Sequence, residues 1–119
     1  MKTILIVEDT ELNIDLLTQL LEDDYNLVIA RDGEQGVEMA IKHVPDLILM
    51  DINLPLIDGY EATRRIRTND ALKSTPIIGL SAHAMSGHEV KAKEAGCNDY
   101  LTKPINDDML FKKLKEYLG

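Results

Sequence analysis

Four short apolar runs that end in polar residues constrain this chain more than any other feature. The runs are rich in Leu and β-branched residues and lack the alternation that marks a half-buried strand. Continuous apolar runs of this length are typical of strands buried on both faces, as in a parallel sheet covered by helices. The four ends are Val7-Glu8-Asp9, Met50-Asp51, Leu80-Ser81 and Thr102-Lys103.

The segments between the runs carry helical signals. Asp32, followed three residues later by Gln35, resembles a capping box, and Pro45 ends the helix that starts there. Gly96 suits the position just after a helix. The predicted helices are Glu11–Glu22, 33–44, Tyr60–Arg67, His88–Ala95 and a last helix capped by Asn106 or Asp107. In the first of them we expect one apolar stripe, formed by Leu12, Leu16, Leu17, Leu20 and Leu21.

With a further strand predicted over Tyr25–Ala30, five strands alternate with five helices. This alternation predicts an α/β fold, a three-layer, doubly wound parallel sheet with right-handed crossovers. The length of 119 residues suits one domain, so we expect a single domain over 1–119. The net charge of -8 argues against nucleic-acid binding, and no apolar run is long enough to span a membrane.

The start of the chain and its cysteine content indicate a compartment. Met1-Lys2-Thr3 leads directly into a strand, with no signal peptide pattern. The single cysteine, Cys97, cannot form an internal disulfide, which agrees with a reducing cytoplasm. We therefore expect a cytoplasmic protein, in which Cys97 is a small, partly buried turn residue rather than a redox group.

The polar residues at the strand ends are expected to share one pocket, because parallel strands end along one rim of the sheet. The rim would hold three carboxylates, a hydroxyl and an ammonium. Clustered carboxylates repel one another by roughly a few kcal/mol per close pair. A hard divalent cation such as Mg²⁺, which prefers oxygen ligands, would offset that repulsion. Such a pocket is equipped to hold a phosphoryl group.

Motifs along the whole chain strengthen this interpretation. In chain order and at fold-consistent spacing they are Ile-Val-Glu8-Asp9, Asp46-Leu-Ile-Leu-Met-Asp51, Leu-Pro55-Leu-Ile-Asp58-Gly59, Leu80-Ser81-Ala82 and Asp99-Tyr-Leu-Thr-Lys103-Pro104. With these motifs the chain resembles the receiver domain of two-component response regulators, the CheY-like family. The resemblance implies the strand order 2-1-3-4-5 and a stand-alone receiver similar to CheY or DivK.

The resemblance also implies roles for individual residues. Asp51 would be the phosphoacceptor, and Ser81 and Lys103 would act on its phosphoryl group. Ser81 and Tyr100 would form the switch. The Lys103-Pro104 peptide bond would be cis. Magnesium would be bound by Glu8, Asp9, Asp51 and the backbone carbonyl of Asn53.

The implied partner is a histidine kinase or a histidine phosphotransfer protein, and the implied output surface is the face of helix 4, strand 5 and helix 5. The protein would be a signalling phosphoacceptor and not an enzyme acting on other substrates, and we expect a monomer. We expect no output module after Gly119, so output would pass through protein contacts. A receiver excised from a hybrid histidine kinase is an alternative, because Glu11-Leu12-Asn13 and the segment Leu80–Met85 resemble such receivers.

Two other classes are less consistent with the sequence. A flavodoxin-type electron carrier would need a phosphate loop after the first strand, where Glu8 and Asp9 would repel the FMN phosphate. A haloacid-dehalogenase-like phosphatase places its nucleophile after the first strand, whereas Asp51 follows the third. We expect His83 and His88 to be exposed polar residues, and the basic run over 64–67 to be a solvated helix face.

Overall fold

The computed structural model of this chain describes residues 1–82 and 86–119, without the side chains of 86–88. The predictions for His83 and His88 therefore lie outside the described part of the molecule. Five strands alternate with five α-helices, as predicted, and a short 3-10 helix precedes the fourth strand. The elements are β1 Thr3–Val7, α1 Glu11–Leu21, β2 Asn26–Ala30, α2 Gly33–His43, β3 Leu47–Asp51, α3 Gly59–Arg67, the 3-10 helix Asp70–Leu72, β4 Ile77–Ser81, α4 Ser86–Ala95, β5 Asp99–Thr102 and α5 Asp107–Leu118.

The five strands form one parallel sheet in the order β2-β1-β3-β4-β5, which confirms the predicted topology. In this order β1 lies beside β3, and Val7 pairs with Met50. The residues after Val7 therefore lie next to Asp51. On the other side of β3, Asp51 pairs with Leu80, and Ser81 pairs with Thr102 of β5. The register thus gathers the predicted site residues at one rim.

Both faces of the sheet are covered, which explains why the central strands β1, β3 and β4 carry apolar residues at successive positions. Alternate residues of a strand point to opposite faces. Ile4 and Ile6 pack with leucines of α1 and α5 in one core. Leu5 and Val7 pack with residues of α2, α3 and α4 in a second core. None of the described helices combines the length and apolarity needed to cross a membrane.

The helix ends follow the local signals in the sequence. The Asp32 side chain accepts a hydrogen bond from the Gln35 N–H at 2.7 Å and begins α2. The Asn106 side chain accepts one from the Met109 N–H at 3.0 Å and begins α5. Gly96, which follows α4, has a φ of 118°, a left-handed conformation that favours glycine. These three predictions are confirmed.

The prediction of one leucine stripe on α1 is wrong for two of its members. Leu12 is 77% exposed and Leu16 is 40% exposed. The buried residues of α1 are instead Ile14, Leu17 and Leu21. A helix that packs on one face of a sheet buries only the side chains on the facing side of the helix. The five leucines are spread over a wider part of the helix circumference, so they cannot all be buried against the sheet.

The basic run at the end of α3 is also only partly a solvated face. Arg64 and Arg65 are exposed and pair with Glu61, as expected. Arg67 is half-buried instead, and its guanidinium donates to the carbonyls of residues 72, 73, 75 and 96 and to the Asn98 side chain, at 2.6 to 3.2 Å. The prediction of a solvated side chain is therefore wrong for Arg67, because the last turn of α3 lies against the turn that joins α4 to β5.

Candidate functional site

Three carboxylates converge at the carboxyl ends of β1 and β3. One oxygen of each of Glu8, Asp9 and Asp51 lies within 4.8 Å of the others. Glu8 and Asp51 are buried, whereas Asp9 is exposed. Adjacent parallel strands bring together groups more than 40 positions apart in the sequence. The three carboxylates that were predicted to share one rim of the sheet therefore lie together.

Lys103 contacts two of these carboxylates. Its Nζ lies 2.9 Å from Glu8 Oε2 and 3.2 Å from Asp51 Oδ2. Burial lowers the pKa of Lys103, but the hydrogen bond and attraction from these carboxylates outweigh burial, so the pKa lies above its ordinary value. The Lys103 N–H also donates to the Ser81 carbonyl at 2.7 Å, which ties the ends of β4 and β5 together. The Lys103-Pro104 bond is cis.

Burial and the neighbouring charges perturb the pKa of the Asp51 carboxyl. Burial is the largest cause, and repulsion from Glu8 adds to it, while Lys103 and the Asn53 N–H act in the opposite direction. The Asn53 N–H donates to Asp51 Oδ1 at 3.1 Å. The net effect raises the pKa of Asp51 from 3.8 to about 6. The carboxylate is thus destabilised, yet mostly ionised at neutral pH.

Two residues that sequence reasoning did not assign to the site support Glu8. The Thr10 N–H donates to Glu8 Oε1 at 3.3 Å, and Asn13 Nδ2 lies 3.5 Å from the same oxygen. Both residues belong to the start of α1, which follows β1 directly. A helix that directly follows a parallel strand begins at the ligand-binding rim of the sheet. This rule could have assigned Thr10 and Asn13 to the site from the sequence.

Ser81 and Tyr100 lie on the neighbouring strands. Ser81 is fully buried at the end of β4, beyond Leu80, which pairs with Asp51. Tyr100 is partly buried and packs against the core beneath α2, α3 and α4. The structure places Ser81 at the same rim as Asp51. Tyr100 lies two residues before Thr102, which pairs with Ser81. The roles of Ser81 and Tyr100 remain predictions.

The loop from β3 to α3 is held close to Asp51. A Cβ at Gly59 would collide with the Asp51 carbonyl oxygen and approach Ile52 Cα at 2.7 Å. The Gly59 N–H also donates to the Ile52 carbonyl at 2.9 Å. Only glycine allows this close approach, so Gly59 fixes the loop that follows the candidate phosphoacceptor.

The donor set fits a hard divalent cation. All the clustered ligands are carboxylate oxygens, which Mg²⁺ prefers. Three carboxylates against the single ammonium of Lys103 leave two net negative charges, the charge that one divalent cation balances. Burial and then repulsion from Glu8 raise the pKa of Asp51, so a cation bound there would stabilise its ionised form.

The buried, lysine-paired carboxylate cluster agrees with the sequence comparisons. The family model for the response regulator receiver domain matches residues 4–115. The polar-differentiation response regulator DivK of Brucella anthropi is 40% identical over 119 residues, which are 99% of this chain and 97% of DivK. The match to DivK thus extends over almost the whole of both chains.

Two solved receiver-domain structures are similar to this chain in both fold and sequence. The receiver domain of sensor histidine kinase PA1611 from Pseudomonas aeruginosa, with a magnesium ion in its active site cleft, is 39% identical. Its TM-score is 0.92, over 99% of this chain and 98% of that one. The Ssk1 receiver domain of Saccharomyces cerevisiae, crystallised with the histidine phosphotransfer protein Ypd1, is 32% identical, with a TM-score of 0.90 over 98% and 88%. The chain therefore belongs to the receiver-domain family of two-component response regulators.

Proposed function

We propose that this protein, as one receiver domain over 1–119, is a signalling phosphoacceptor and that Asp51 takes a phosphoryl group from a phosphohistidine. One observation carries the proposal. Asp51 is a buried carboxylate that contacts Lys103 at 3.2 Å and clusters with Glu8 and Asp9. An ionised carboxylate attacks without a separate base. A pKa of about 6 leaves Asp51 mostly in that form at neutral pH.

The transfer needs only groups that the rim provides. An oxygen of Asp51 bonds to phosphorus while the phosphorus–nitrogen bond of the donor breaks. The electron pair of that bond stays on the imidazole nitrogen, which takes up a proton, and Asp51 becomes an acyl phosphate. The Lys103 ammonium and the Ser81 hydroxyl are the groups that would receive the phosphoryl oxygens.

Glu8, Asp9, Asp51 and the backbone carbonyl of Asn53 would hold Mg²⁺. When bound, the ion would supply positive charge to the phosphoryl oxygens during transfer. The all-oxygen donor set and the net negative charge of the cluster support this assignment. The magnesium ion in the PA1611 receiver supports it independently.

The donor would be a histidine kinase or a histidine phosphotransfer protein, as the complex of the Ssk1 receiver with Ypd1 illustrates. We infer that output uses the face of α4, β5 and α5. Val90 and Phe111 expose apolar side chains on the two helices. A cleft of about 200 Å³ lies on this face, lined by Tyr100, Leu101, Thr102, Pro104, Asn106 and Met109.

A receiver that belongs to a hybrid histidine kinase is a second candidate, supported by the 39% identity with the PA1611 receiver. It would use the same site and the same chemistry. The flavodoxin and haloacid-dehalogenase alternatives have no such support. Glu8 and Asp9 occupy the end of β1, where a flavin phosphate would bind, and the candidate nucleophile follows β3 instead of β1.

Labelling with acetyl phosphate tests the phosphoacceptor. We expect one phosphoryl group per chain in the presence of Mg²⁺ and almost none with EDTA. Asp51→Asn, which keeps the side-chain shape and removes the nucleophile, should abolish the label. Asp70→Asn is the matched control, because Asp70 is 91% exposed and lies outside the site. Label that survives in Asp51→Asn would contradict the assignment.

Amide NMR with and without beryllofluoride, a phosphoryl mimic, tests the output face. In the wild type we expect shifts at Tyr100 and along α4 and α5. Ser81→Ala should still accept phosphate but respond less at that face, and Lys103→Ala should lose more of the response. Equal responses in wild type and Ser81→Ala would show that the signal does not pass through the hydroxyl.

A further inference from the structure

The loop that joins β3 to α3, residues 52–58, packs directly against the first residue of α2. A Cβ at Gly33 would collide with the carbonyl oxygen and with Cγ1 of Ile57, and it would lie 3.1 Å from the Ile57 carbonyl carbon. Gly33 is buried and is not among the glycines with a positive φ. The close contact with the loop, and not the backbone conformation, therefore excludes a side chain at this position.

The beginning of α2 is a firm support for the loop. The Asp32 side chain accepts a hydrogen bond from the Gln35 N–H, and Gln35 Oε1 accepts one from the Arg31 N–H at 2.6 Å. This pair of bonds resembles a capping box and fixes the helix start. One turn further on, a Cβ at Gly36 would lie 2.8 Å from Val7 Cγ1, so α2 is also packed closely on β1. A group added between α2 and the loop would therefore displace the loop.

The loop is closed at its base and holds Asn53 against Asp51. The Gly59 N–H donates to the Ile52 carbonyl at 2.9 Å, which joins the two ends of the loop. The Asn53 N–H donates to Asp51 Oδ1 at 3.1 Å. Only three residues separate Asn53 from Ile57. In so short a closed loop, a displacement of Ile57 is transmitted to Asn53.

The conformation of Leu56 shows that contacts on both sides hold the loop in this shape. Leu56 has a φ of 71°, a left-handed conformation that is unfavourable for leucine. Its side chain is exposed, so its own packing does not explain this conformation. Its neighbours Leu54 and Ile57 are partly buried against the core beneath α2, α3 and α4. Unfavourable backbone conformations persist where surrounding contacts impose them, and here the packed neighbours supply those contacts.

We propose that Gly33 is a positioning residue for phosphoryl transfer, because it lets the Ile57 carbonyl lie against α2 and so holds Asn53 beside Asp51. The inference rests on the proposed function, in which the Asn53 carbonyl is a magnesium ligand. A methyl group at position 33 would push Ile57 away from α2 and would move the Asn53 N–H and carbonyl with it. Gly33 acts through the loop and does not touch the reacting groups.

Gly33→Ala is the direct test, and Gly36→Ala is the matched control. Both variants add a methyl group to α2, but at 36 the methyl group meets the side chain of Val7 instead of the loop. In EDTA, the amide proton of Asn53 should exchange with water at least about threefold faster in Gly33→Ala than in wild type. The Mg²⁺ affinity, measured by amide NMR titration, should fall about tenfold in Gly33→Ala. In Gly36→Ala both quantities should stay within about twofold of wild type.

Ile57→Ala tests the same contact from the side of the loop. It removes the Cγ1 atom with which a methyl group at position 33 would collide. The effects of Gly33→Ala and Ile57→Ala on Asn53 exchange and on Mg²⁺ affinity should therefore be non-additive, and the double variant should lie closer to wild type than Gly33→Ala does. The effects of Gly36→Ala and Ile57→Ala should be additive.

Wild-type exchange of Asn53 and wild-type Mg²⁺ affinity in Gly33→Ala would overturn the proposal. Equal losses in Gly36→Ala, or additive effects of Gly33→Ala and Ile57→Ala, would also overturn it. If Gly33→Ala does not fold, the double variant decides. Faster Asn53 exchange than in Ile57→Ala would support the proposal, whereas equal exchange or a second failure to fold would contradict it.

The proposed function can fail separately from this inference. A wild type that takes no label at Asp51 from acetyl phosphate would refute the phosphoacceptor. Exchange of the Asn53 amide in EDTA requires neither magnesium nor phosphorylation, so it would still decide whether Gly33 positions the loop.

Discussion

Replacing Asp51 by asparagine should make the metal-free protein more stable, although it removes the group on which the proposed function depends. In the folded chain, burial and the repulsion from Glu8 raise the pKa of Asp51 from 3.8 to about 6. The native state therefore binds a proton more tightly than the unfolded chain does. At about 1.4 kcal/mol per pH unit, ionising Asp51 costs the native state up to about 3 kcal/mol.

The sign of the effect sets its pH dependence. Well below pH 3.8 the carboxyl is protonated in both states, so its ionisation has no effect on the free energy of unfolding. As the pH rises from 3.8 to about 6, the unfolded chain ionises first and the native state loses stability. The loss is complete once the pH is well above the folded pKa. Asp51→Asn lacks this carboxyl, so the stability of the variant relative to wild type should increase over the same pH range.

Urea unfolding at several pH values, in EDTA, measures the difference. We expect Asp51→Asn to be more stable by up to about 3 kcal/mol at about pH 7.5. The two proteins should become equal only well below pH 3.8, where the carboxyl is protonated in both states. Asp70→Asn should show no such trend, and Mg²⁺ should raise the stability of the wild type more than that of Asp51→Asn. A variant no more stable than wild type at neutral pH, or a gap of the same size well below pH 3.8, would refute the electrostatic account of the site.

Three further predictions concern residues around the site. Arg67→Met should lower the free energy of unfolding, measured in urea, by about 2–4 kcal/mol, because the hydrogen bonds from the charged guanidinium to backbone carbonyls are lost. The control Arg65→Met, at an exposed position, should stay within about 0.5 kcal/mol of wild type. For Asp99, burial raises the pKa, but bonds such as that from Lys113 outweigh it and hold the pKa below its ordinary value. Asp99→Asn should therefore melt below the wild type at neutral pH, and the difference should close as the pH falls below 3.8 toward the folded pKa of Asp99. Gly59→Ala should lose about 2 kcal/mol or more in urea unfolding and label poorly, since its Cβ collides with the carbonyl of the candidate phosphoacceptor; wild-type values for both would contradict the close approach.

Much of the fold could be predicted because its signals are local. A strand covered on both faces must be apolar at successive positions, and helix starts such as Asp32 need a side-chain acceptor. Parallel strands also end along one rim, so polar residues such as Asp51 and Lys103 were predicted to meet there. Each inference needs only a few neighbouring residues and a general rule of chain geometry.

Local patterns could not decide how the helices face the sheet. Leu12 and Leu16 carry the same side chain as Leu17, yet only Leu17 is buried. The helical period gives the angles between residues around the helix axis. Which side of the helix is buried depends on the surface against which the helix packs. The half-buried Arg67 follows the same logic, because the carbonyls it binds belong to segments that the tertiary fold brings to the end of α3.

The sequence by itself determined the order of the elements, the rim at which chemistry is possible and the residue types present there. Only the tertiary structure decided that Glu8 is buried against Lys103, 95 positions away, and that Lys103 also contacts Asp51 at 3.2 Å. Such distances depend on strand register, rotamers and packing of the whole domain at once. No local pattern contains that information, since each of these contacts joins segments that only folding makes neighbours.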